Sequence, residues 1–356
     1  MTRPIPPNPG SLLIGCGVVG EVHARALAEL ALQERAHLAG VVDSDRARAE
    51  RFGQVWGVRA TSSLDEALSW PGVHLVQVCT PSGLHATVGV QAARAGKHVL
   101  VEKPIDVALE AADRLIAVCD DAGVALGVVS QHRFDPGFKE LQQLVESGVL
   151  GRLVLGEARV KWWRSDDYYA DASWRGSKAL DGGGALINQA IHYVDLLLAL
   201  CGPVERVSAY TATLAHTLEV EDIAAAVLRF RGGAIGTILA STAIFPGLSE
   251  RLEINGVDGS AIIEDGTLIY AATRDAIGPV GSHGLPWEGA TRTRAGASPH
   301  APPYGGRHTD QIADFVDAVV QGRTPTVTGA DGRAALAAVT AIYEAAETGH
   351  EVALPW

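Results

Sequence analysis

SLLIGCGVVGEVHARALAELAL, residues 11–32, decides the fold of the first third of this chain. A short apolar run ends at Gly15-Cys16-Gly17-Val18-Val19-Gly20, and the residues from Glu21 onward repeat with helical periodicity. Strand, G-x-G-x-x-G turn and helix together form a dinucleotide-binding turn. Gly15 permits the tight turn, Gly17 lets a pyrophosphate approach the backbone, and Gly20 lets helix and strand pack closely, with Val18 and Val19 opening the helix N-terminus toward the phosphates. Asp43 closes the second strand, 23 residues beyond Gly20. A carboxylate there accepts hydrogen bonds from both adenosine ribose hydroxyls and repels a 2'-phosphate, which favours NAD over NADP. Arg46 and Arg48 lie just downstream and could receive such a phosphate, so NADP stays open as the lesser reading. The bland alternative is a glycine turn in a nucleotide-free α/β domain. His23 reads as a packing or surface residue.

Outward from this stretch, SLLIGCG, HLAGVVD, HLVQVCT, HVLVEKP and VALGVVS each precede a helical stretch. Continuous apolar strands alternating with helices mean a doubly wound parallel sheet covered on both faces, here over residues 11–130. Beyond it, VERVSAYTATL, IAAAVLRF and AIGTILASTAI are longer strand-like runs, the last two separated by Arg231-Gly232-Gly233. That is an antiparallel hairpin signal. Residues 131–356 are therefore expected to form an α+β domain with a large, mostly antiparallel open sheet, a long Gly/Pro-rich loop over about 274–306, and closing helices near 308–321 and 330–347. Residues 1–10, with four prolines, read as a flexible tail.

With 47% hydrophobic residues, the 356-residue chain can fill two cores rather than one. The formal charge of -12 argues against nucleic acid as the main partner. The tail lacks the apolar core of a signal sequence and no run is long enough to span a bilayer, so a soluble cytoplasmic protein without membrane contact is expected. Cys16, Cys79, Cys119 and Cys201 form no C-x-x-C pair and read as reduced thiols, not a structural zinc site.

Ligands of doubly wound sheets bind at the C-terminal strand ends. Two further segments fall there: Thr80-Pro81-Ser82-Gly83-Leu84-His85 and Glu102-Lys103-Pro104. Thr80, Pro81, His85 and Glu102 are thus candidate cofactor contacts. Lys103, fixed by the following proline, is either a cation aimed at the nicotinamide end or a lysine snorkelling from the strand. In DGGGALINQAIHYVD, residues 181–195, Asn188, His192 and Asp195 make one stripe on a helix, opposite Leu186, Ala190, Val194 and Leu197. The stripe lacks Lys, Glu and Arg, the usual residues of a solvated face, and three glycines at its start let backbone and ligand come close. His192 and Asp195 lack a third ligand at suitable spacing, so no metal is expected.

GCGVVGEVH, Asp43, CTPSGLH, GKHVLVEKP, SQHRFDP, SWRG and GGGALINQAIHYVDLL, in this order, resemble the glucose-fructose oxidoreductase / inositol dehydrogenase (Gfo/Idh/MocA) family from about residue 11 to the C-terminus. The resemblance implies an NAD(P)-linked oxidoreductase of a sugar, nucleotide-sugar or cyclitol hydroxyl and a homo-oligomer, dimer or tetramer. It also implies that Lys103 and His192 flank the reacting carbon. His192, with an ordinary pKa of about 6.5, would take the hydroxyl proton, and the Lys103 ammonium would stabilise the developing alkoxide. Many relatives carry aspartate four residues before the histidine. Asn188 can orient the ring but not stabilise imidazolium, a departure shared with the dehydrogenases of UDP-N-acetylated sugars and their uronates. Gln131, His132, Arg164, Tyr168, Tyr169, Trp174 and Arg175 are candidates for substrate contacts, since aromatic faces suit sugar rings and arginine suits carboxylate or phosphate. Two alternatives stand: a non-catalytic dinucleotide-binding sensor, which needs neither Lys103 nor His192, and a sugar–sugar oxidoreductase that never releases its nucleotide.

Overall fold

The structure is a computed structural model and describes residues 5–170, 175–277 and 306–355. It divides into two compact units. In the first, strands β1 (Gly10–Ile14), β2 (His37–Val42), β3 (Arg59–Thr61), β4 (Val73–Val78), β5 (His98–Val101) and β6 (Leu126–Val128) form one sheet in the order β3-β2-β1-β4-β5-β6. Every pairing is parallel. Helices α1 (Val18–Leu32), α2 (Arg46–Trp56), α3 (Leu64–Leu68), α4 (His85–Arg94) and α5 (Leu109–Ala122) make the crossovers. The strand order reverses between β1 and β4, so the carboxyl ends of these two strands, and the glycine turn after β1, sit at the switch point where such sheets take a ligand. β1 is buried along its length, which is why it reads as an uninterrupted apolar run.

The second unit opens with α6 (Pro136–Glu146), β7 (Leu153–Lys161) and α7 (Asp166–Ala170). A π-helical turn over Ala185–Ala190 then leads into α8 (Ile191–Cys201). Strands β8 (Val204–Ala212), β9 (Ile223–Phe230), β10 (Ile235–Ser241), β11 (Arg251–Gly256), β12 (Gly259–Glu264) and β13 (Thr267–Thr273) follow, then a short α9 (Arg274–Ile277); of the later elements, α10 (Gly306–Gln321) and the start of α11 (Gly329–Thr348) fall in the first unit, and the rest of α11 with β14 (Val352–Ala353) in the second. The eight strands run β13-β12-β11-β7-β10-β9-β8-β14, and only β7 and β10 pair in parallel. The hairpin expected around Arg231-Gly232-Gly233 forms, with Ile235 opposite Arg229 and Gly233 at φ 87°. On β9, Ala224, Ala226, Leu228 and Phe230 face inward and alternate with exposed Ala225, Val227 and Arg229. α8 leans on β7 closely enough that a Cβ on Gly156 would lie 2.8 Å from a Leu197 methyl.

Two details depart from the sequence reading. α10, expected in the second domain, belongs to the first unit, because its Ile312, Phe315, Val316 and Val319 complete the apolar face of Ala26, Leu27 and Leu30 on α1. Ile5 packs against this same cluster and β1 begins at Gly10, so residues 5–10 are not loose. The Gly/Pro-rich loop falls largely on residues 278–305, outside the described residues, as does Trp174. All four cysteines are free, and burial pushes the thiols of Cys16, Cys119 and Cys201 up to about 12. Among the described residues no helix is long and apolar enough to cross a membrane.

Candidate active site

At the end of β1 the three glycines serve three different needs. Gly15 has φ 102°, and a Cβ there would strike the Cys79 carbonyl. A Cβ on Gly20 would meet the Gly15 carbonyl oxygen at 2.1 Å, whereas one on Gly17 would meet nothing within 4 Å. The first and last glycines are thus demanded by the protein's own packing. Gly17 alone faces open space, as a backbone that a pyrophosphate approaches must. Asp43 is buried, its Oδ2 accepting the Cys16 N–H at 2.9 Å and its Oδ1 the Asp45 N–H at 2.9 Å. Arg48 comes within 3.6 Å of it, while Arg46 pairs with Glu50 on the surface. A carboxylate has about four acceptor sites, so Asp43 can hold the glycine turn and still receive hydroxyls. The Thr80 hydroxyl at the end of β4 is buried without a hydrogen-bond partner among the described residues. An orphaned hydroxyl and an open glycine at one switch point fit a bound dinucleotide.

His85 joins the two strand-end segments. Its ring is buried, with Nδ1 2.7 Å from the Pro104 carbonyl and Nε2 2.8 Å from the Thr80 carbonyl, so it staples the two strand-end segments together. Pro81 leads into the short turn Ser82–Leu84, held by the Gly83 N–H donating to the Leu180 carbonyl. Glu102 is also internal: Oε2 accepts the backbone N–H of Lys103 at 3.1 Å and Oε1 lies 2.9 Å from His23 Nε2. Burial lowers the pKa of the Lys103 ammonium below the usual lysine range, and the carboxylates of Glu102 and Asp181 partly offset that. Gln131, in the turn following β6, has a buried side-chain oxygen without a hydrogen-bond partner among the described residues.

In the second unit, residues 185–200 are all buried except Asn188, His192 and Ala199. The expected wet stripe is therefore reduced to two polar side chains. Asp195, its third member, is 4% exposed and is gripped by Arg133 through two bonds of 2.6 and 2.7 Å. His132 stands beside His192 with ring centres 5.1 Å apart, edge to face, and its Nδ1 lies 2.7 Å from the Asp135 carboxylate. The expectation that the triple glycine admits a ligand is corrected at two of its members. A Cβ on Gly183 would strike the Tyr343 hydroxyl at 2.2 Å, and one on Gly184 the Glu221 carbonyl at 1.8 Å. They are glycines because Glu221 and Tyr343 press against them.

Glu221 gives no signal in the sequence, yet it holds the π-turn. Its carboxylate accepts the N–H groups of Gly184 (2.9 Å) and Leu186 (2.8 Å) and the Tyr343 hydroxyl (2.9 Å). Burial still raises its pKa above the usual carboxylate value, against the pull of these bonds. The expected aromatic and arginine residues gather nearby in the chain. The Arg164 guanidinium lies over the rings of Trp162 (4.9 Å) and Tyr168 (5.2 Å), and Arg175 over Tyr168 (4.4 Å). Arg175 also donates to the Tyr168 carbonyl, and the Tyr169 hydroxyl is 2.8 Å from that of Thr242. A hollow bounded by Trp163, Arg164, Ser165, Asp166 and His216 opens there.

His216 and Asp222 support this group. Asp222 is fully buried and accepts the N–H groups of Leu214, Ala215 and His216, while His216 Nε2 faces the Arg164 carbonyl at 2.9 Å. Burial raises the Asp222 pKa, but these N–H bonds and the bond to the His216 ring outweigh it, and the net shift is below the ordinary 3.8. A depressed folded-state value means stability that is present above the unfolded pKa and lost as pH falls through the folded one. Asp222→Asn is therefore expected to cost about 1–3 kcal/mol at pH 7. The gap between variant and parent should narrow as pH falls through the folded-state value, which lies below the ordinary 3.8. Urea unfolding across this pH range checks this, and a constant gap would count against it.

Comparison with known proteins matches residues 10–130 to an oxidoreductase family with an NAD-binding Rossmann fold and residues 138–262 to the GFO/IDH/MocA C-terminal domain. Myo-inositol 2-dehydrogenase of Thermotoga maritima is 28% identical over 91% of this chain and 92% of its own. Inositol 2-dehydrogenase of Rhizobium meliloti is 27% identical over 96% and 98%. The WlbA dehydrogenase of Bordetella pertussis, solved with NADH and UDP-GlcNAcA, superposes with a TM-score of 0.85 at 33% identity, over 98% of this chain and 99% of that one. With an NAD-binding Rossmann unit, a second sheet of the matching kind and full-length similarity to dehydrogenases, the chain belongs to the GFO/IDH/MocA family of oxidoreductases.

Proposed function

We propose that the protein is an NAD-dependent dehydrogenase acting on a secondary hydroxyl of a nucleotide-linked hexose or hexuronate, with Lys103 and His192 at the reacting carbon. The observation that carries this reading is the exposure pattern around the π-turn: Asn188 and His192 are the two half-buried polar side chains on an otherwise mostly buried segment. A sensor has no use for that arrangement, nor for a lysine whose proton burial has loosened. Bound NAD would supply the hydride acceptor. His192 takes the hydroxyl proton, Asn188 orients its ring, and the Lys103 ammonium donates to the oxygen as negative charge develops on it. His132, Arg164 and Tyr169 are proposed substrate contacts, and Gln131 offers the buried oxygen of its amide.

Similarity to the WlbA dehydrogenase, together with Asn188, supports a nucleotide-linked substrate over a free cyclitol. NADH formation measured against UDP-N-acetylhexosamine uronates, UDP-hexoses, free hexoses and inositols tests this; turnover confined to inositols would overturn it. NAD is preferred because Asp43 keeps its carboxylate at the end of β2. Asp43→Ala should raise KM for NAD about 10- to 100-fold, the value of a hydrogen bond to a charged acceptor. Equal use of NADP by the unmodified protein would sink that assignment. Nucleotide remaining bound through purification would instead favour the sugar–sugar oxidoreductase. A cytoplasmic homo-oligomer, dimer or tetramer, belongs to the same proposal and is checked by light scattering.

A further inference from the structure

Below the glycine turn, the core of the first unit holds a polar cluster that the proposed chemistry leaves unused. His23, three residues into α1 beyond Gly20, is 0% exposed. Its Nδ1 faces Gln77 Oε1 and its Nε2 faces Glu102 Oε1. The Gln77 NH2 group donates in turn to the buried Ser11 hydroxyl at 3.1 Å. Both ring nitrogens of His23 thus face oxygens, as those of His85 do, but one of these oxygens belongs to a carboxylate, which favours the imidazolium. On the far side, His308 of α10 brings Nε2 to 3.5 Å from the same carboxylate oxygen, while its Nδ1 is buried without a hydrogen-bond partner among the described residues. These three side chains form the one group among the described residues compact enough for an ion, but both nitrogens of His23 are already taken up by hydrogen bonds.

A buried ion pair contributes little to stability compared with apolar residues of the same volume. Four polar residues at the centre of an apolar sheet, Ser11, His23, Gln77 and Glu102, thus call for another explanation. The other carboxylate oxygen supplies it, since Oε2 accepts the backbone N–H of Lys103. We propose that the His23–Glu102 pair, closed by His308, is a positioning device whose ionised carboxylate fixes both the backbone and the charge of Lys103. This rests on reading Lys103 as a reacting group. The groups acting on Lys103 are Glu102 and Asp181, with His23, His308 and Cys79 arrayed behind Glu102. Burial opposes ionisation of Glu102, but its bonds to His23 and His308 hold its pKa well below the carboxylate range. Burial pulls the His23 pKa down, while Cys79 and then Glu102 push it up, and the net value lies well above the ordinary 6.5.

The test needs no substrate. The chain has only five lysines, Lys97, Lys103, Lys139, Lys161 and Lys178, so 13C-lysine NMR can follow Lys103 directly, its signal assigned by Lys103→Arg. In Glu102→Gln, which keeps shape and removes charge, Lys103 should titrate about one pH unit or more lower, and Glu102→Asp should restore most of the shift. In the unmodified protein at pH 8, 15N spectra should show both ring nitrogens of His23 protonated. A neutral His23 there, an unmoved Lys103 titration in Glu102→Gln, or stoichiometric zinc at these three residues would each overturn the proposal. Full activity in Lys103→Ala would instead remove the reading it rests on and leave these spectra unchanged.

Discussion

Lys103→Ala is expected to lower kcat for NADH formation about 10²–10³-fold, the usual effect of removing one donor to a developing oxyanion, and to leave NADH affinity within a few-fold. His192→Gln should cost about 10²–10⁴-fold, the range for loss of a general base. The double variant should fall far short of the product of the two losses, because both residues serve one transition state. The pH profile gives a second handle. Lys103 stabilises an alkoxide only while protonated, and its pKa is lowered by burial. Oxidation should therefore decline on the alkaline side at a pH below the usual lysine range, and that limb should vanish in Lys103→Ala. Retention of kcat within tenfold in both single variants would show that the chemistry lies elsewhere. The sensor alternative would then become the better account.

How far the sequence foretold these groups depends on whether their partners are close in the chain. The glycine turn was legible because Gly15, Gly17 and Gly20 lie within six residues of one another, although the wall that Gly15 meets, Cys79, arrives from β4. The strands of the first unit were legible because burial on both faces leaves apolar runs, and the β9–β10 hairpin because its turn residues are local. Periodicity placed Asn188, His192 and Asp195 on one stripe but could not show that Asp195 is claimed by Arg133, 62 residues away. It also assumed a regular helix where a π-turn forms. His23 reads as a packing or surface residue because a lone histidine on a helix carries no sign of Gln77 and Glu102, which arrive on β4 and at the end of β5. His85 was placed at the cofactor by its position after a strand, and only the structure shows both of its nitrogens on backbone carbonyls.

The glycines that precede the π-turn allow the sharpest separation of packing from ligand binding. In Gly184→Ala the new Cβ would lie 1.8 Å from the Glu221 carbonyl oxygen and 3.0 Å from Oε2 of the same residue. Neither atom can yield cheaply. The carbonyl accepts the Ala185 N–H, and the carboxylate accepts from Gly184, Leu186 and Tyr343. Relief requires moving Glu221 away, which overpacks one site and leaves a buried carboxylate short of donors. The combined cost is about 2–6 kcal/mol, as overpacking and an unsatisfied buried group each contribute about 1–3 kcal/mol. A fall in melting temperature of about 3–8 °C is expected for a chain of this size. Asn188 rides on the same turn, its N–H donating to the Gly184 carbonyl at 3.1 Å, so residual folded protein should also be slow. Gly17→Ala makes the opposite prediction, because its Cβ enters open space. Its stability should stay within about 0.5 kcal/mol of the parent while NADH affinity drops, as befits a surface substitution on a backbone that a pyrophosphate must approach. If instead Gly184→Ala melted with the parent, the account of Glu221 as the clamp of the π-turn would be wrong.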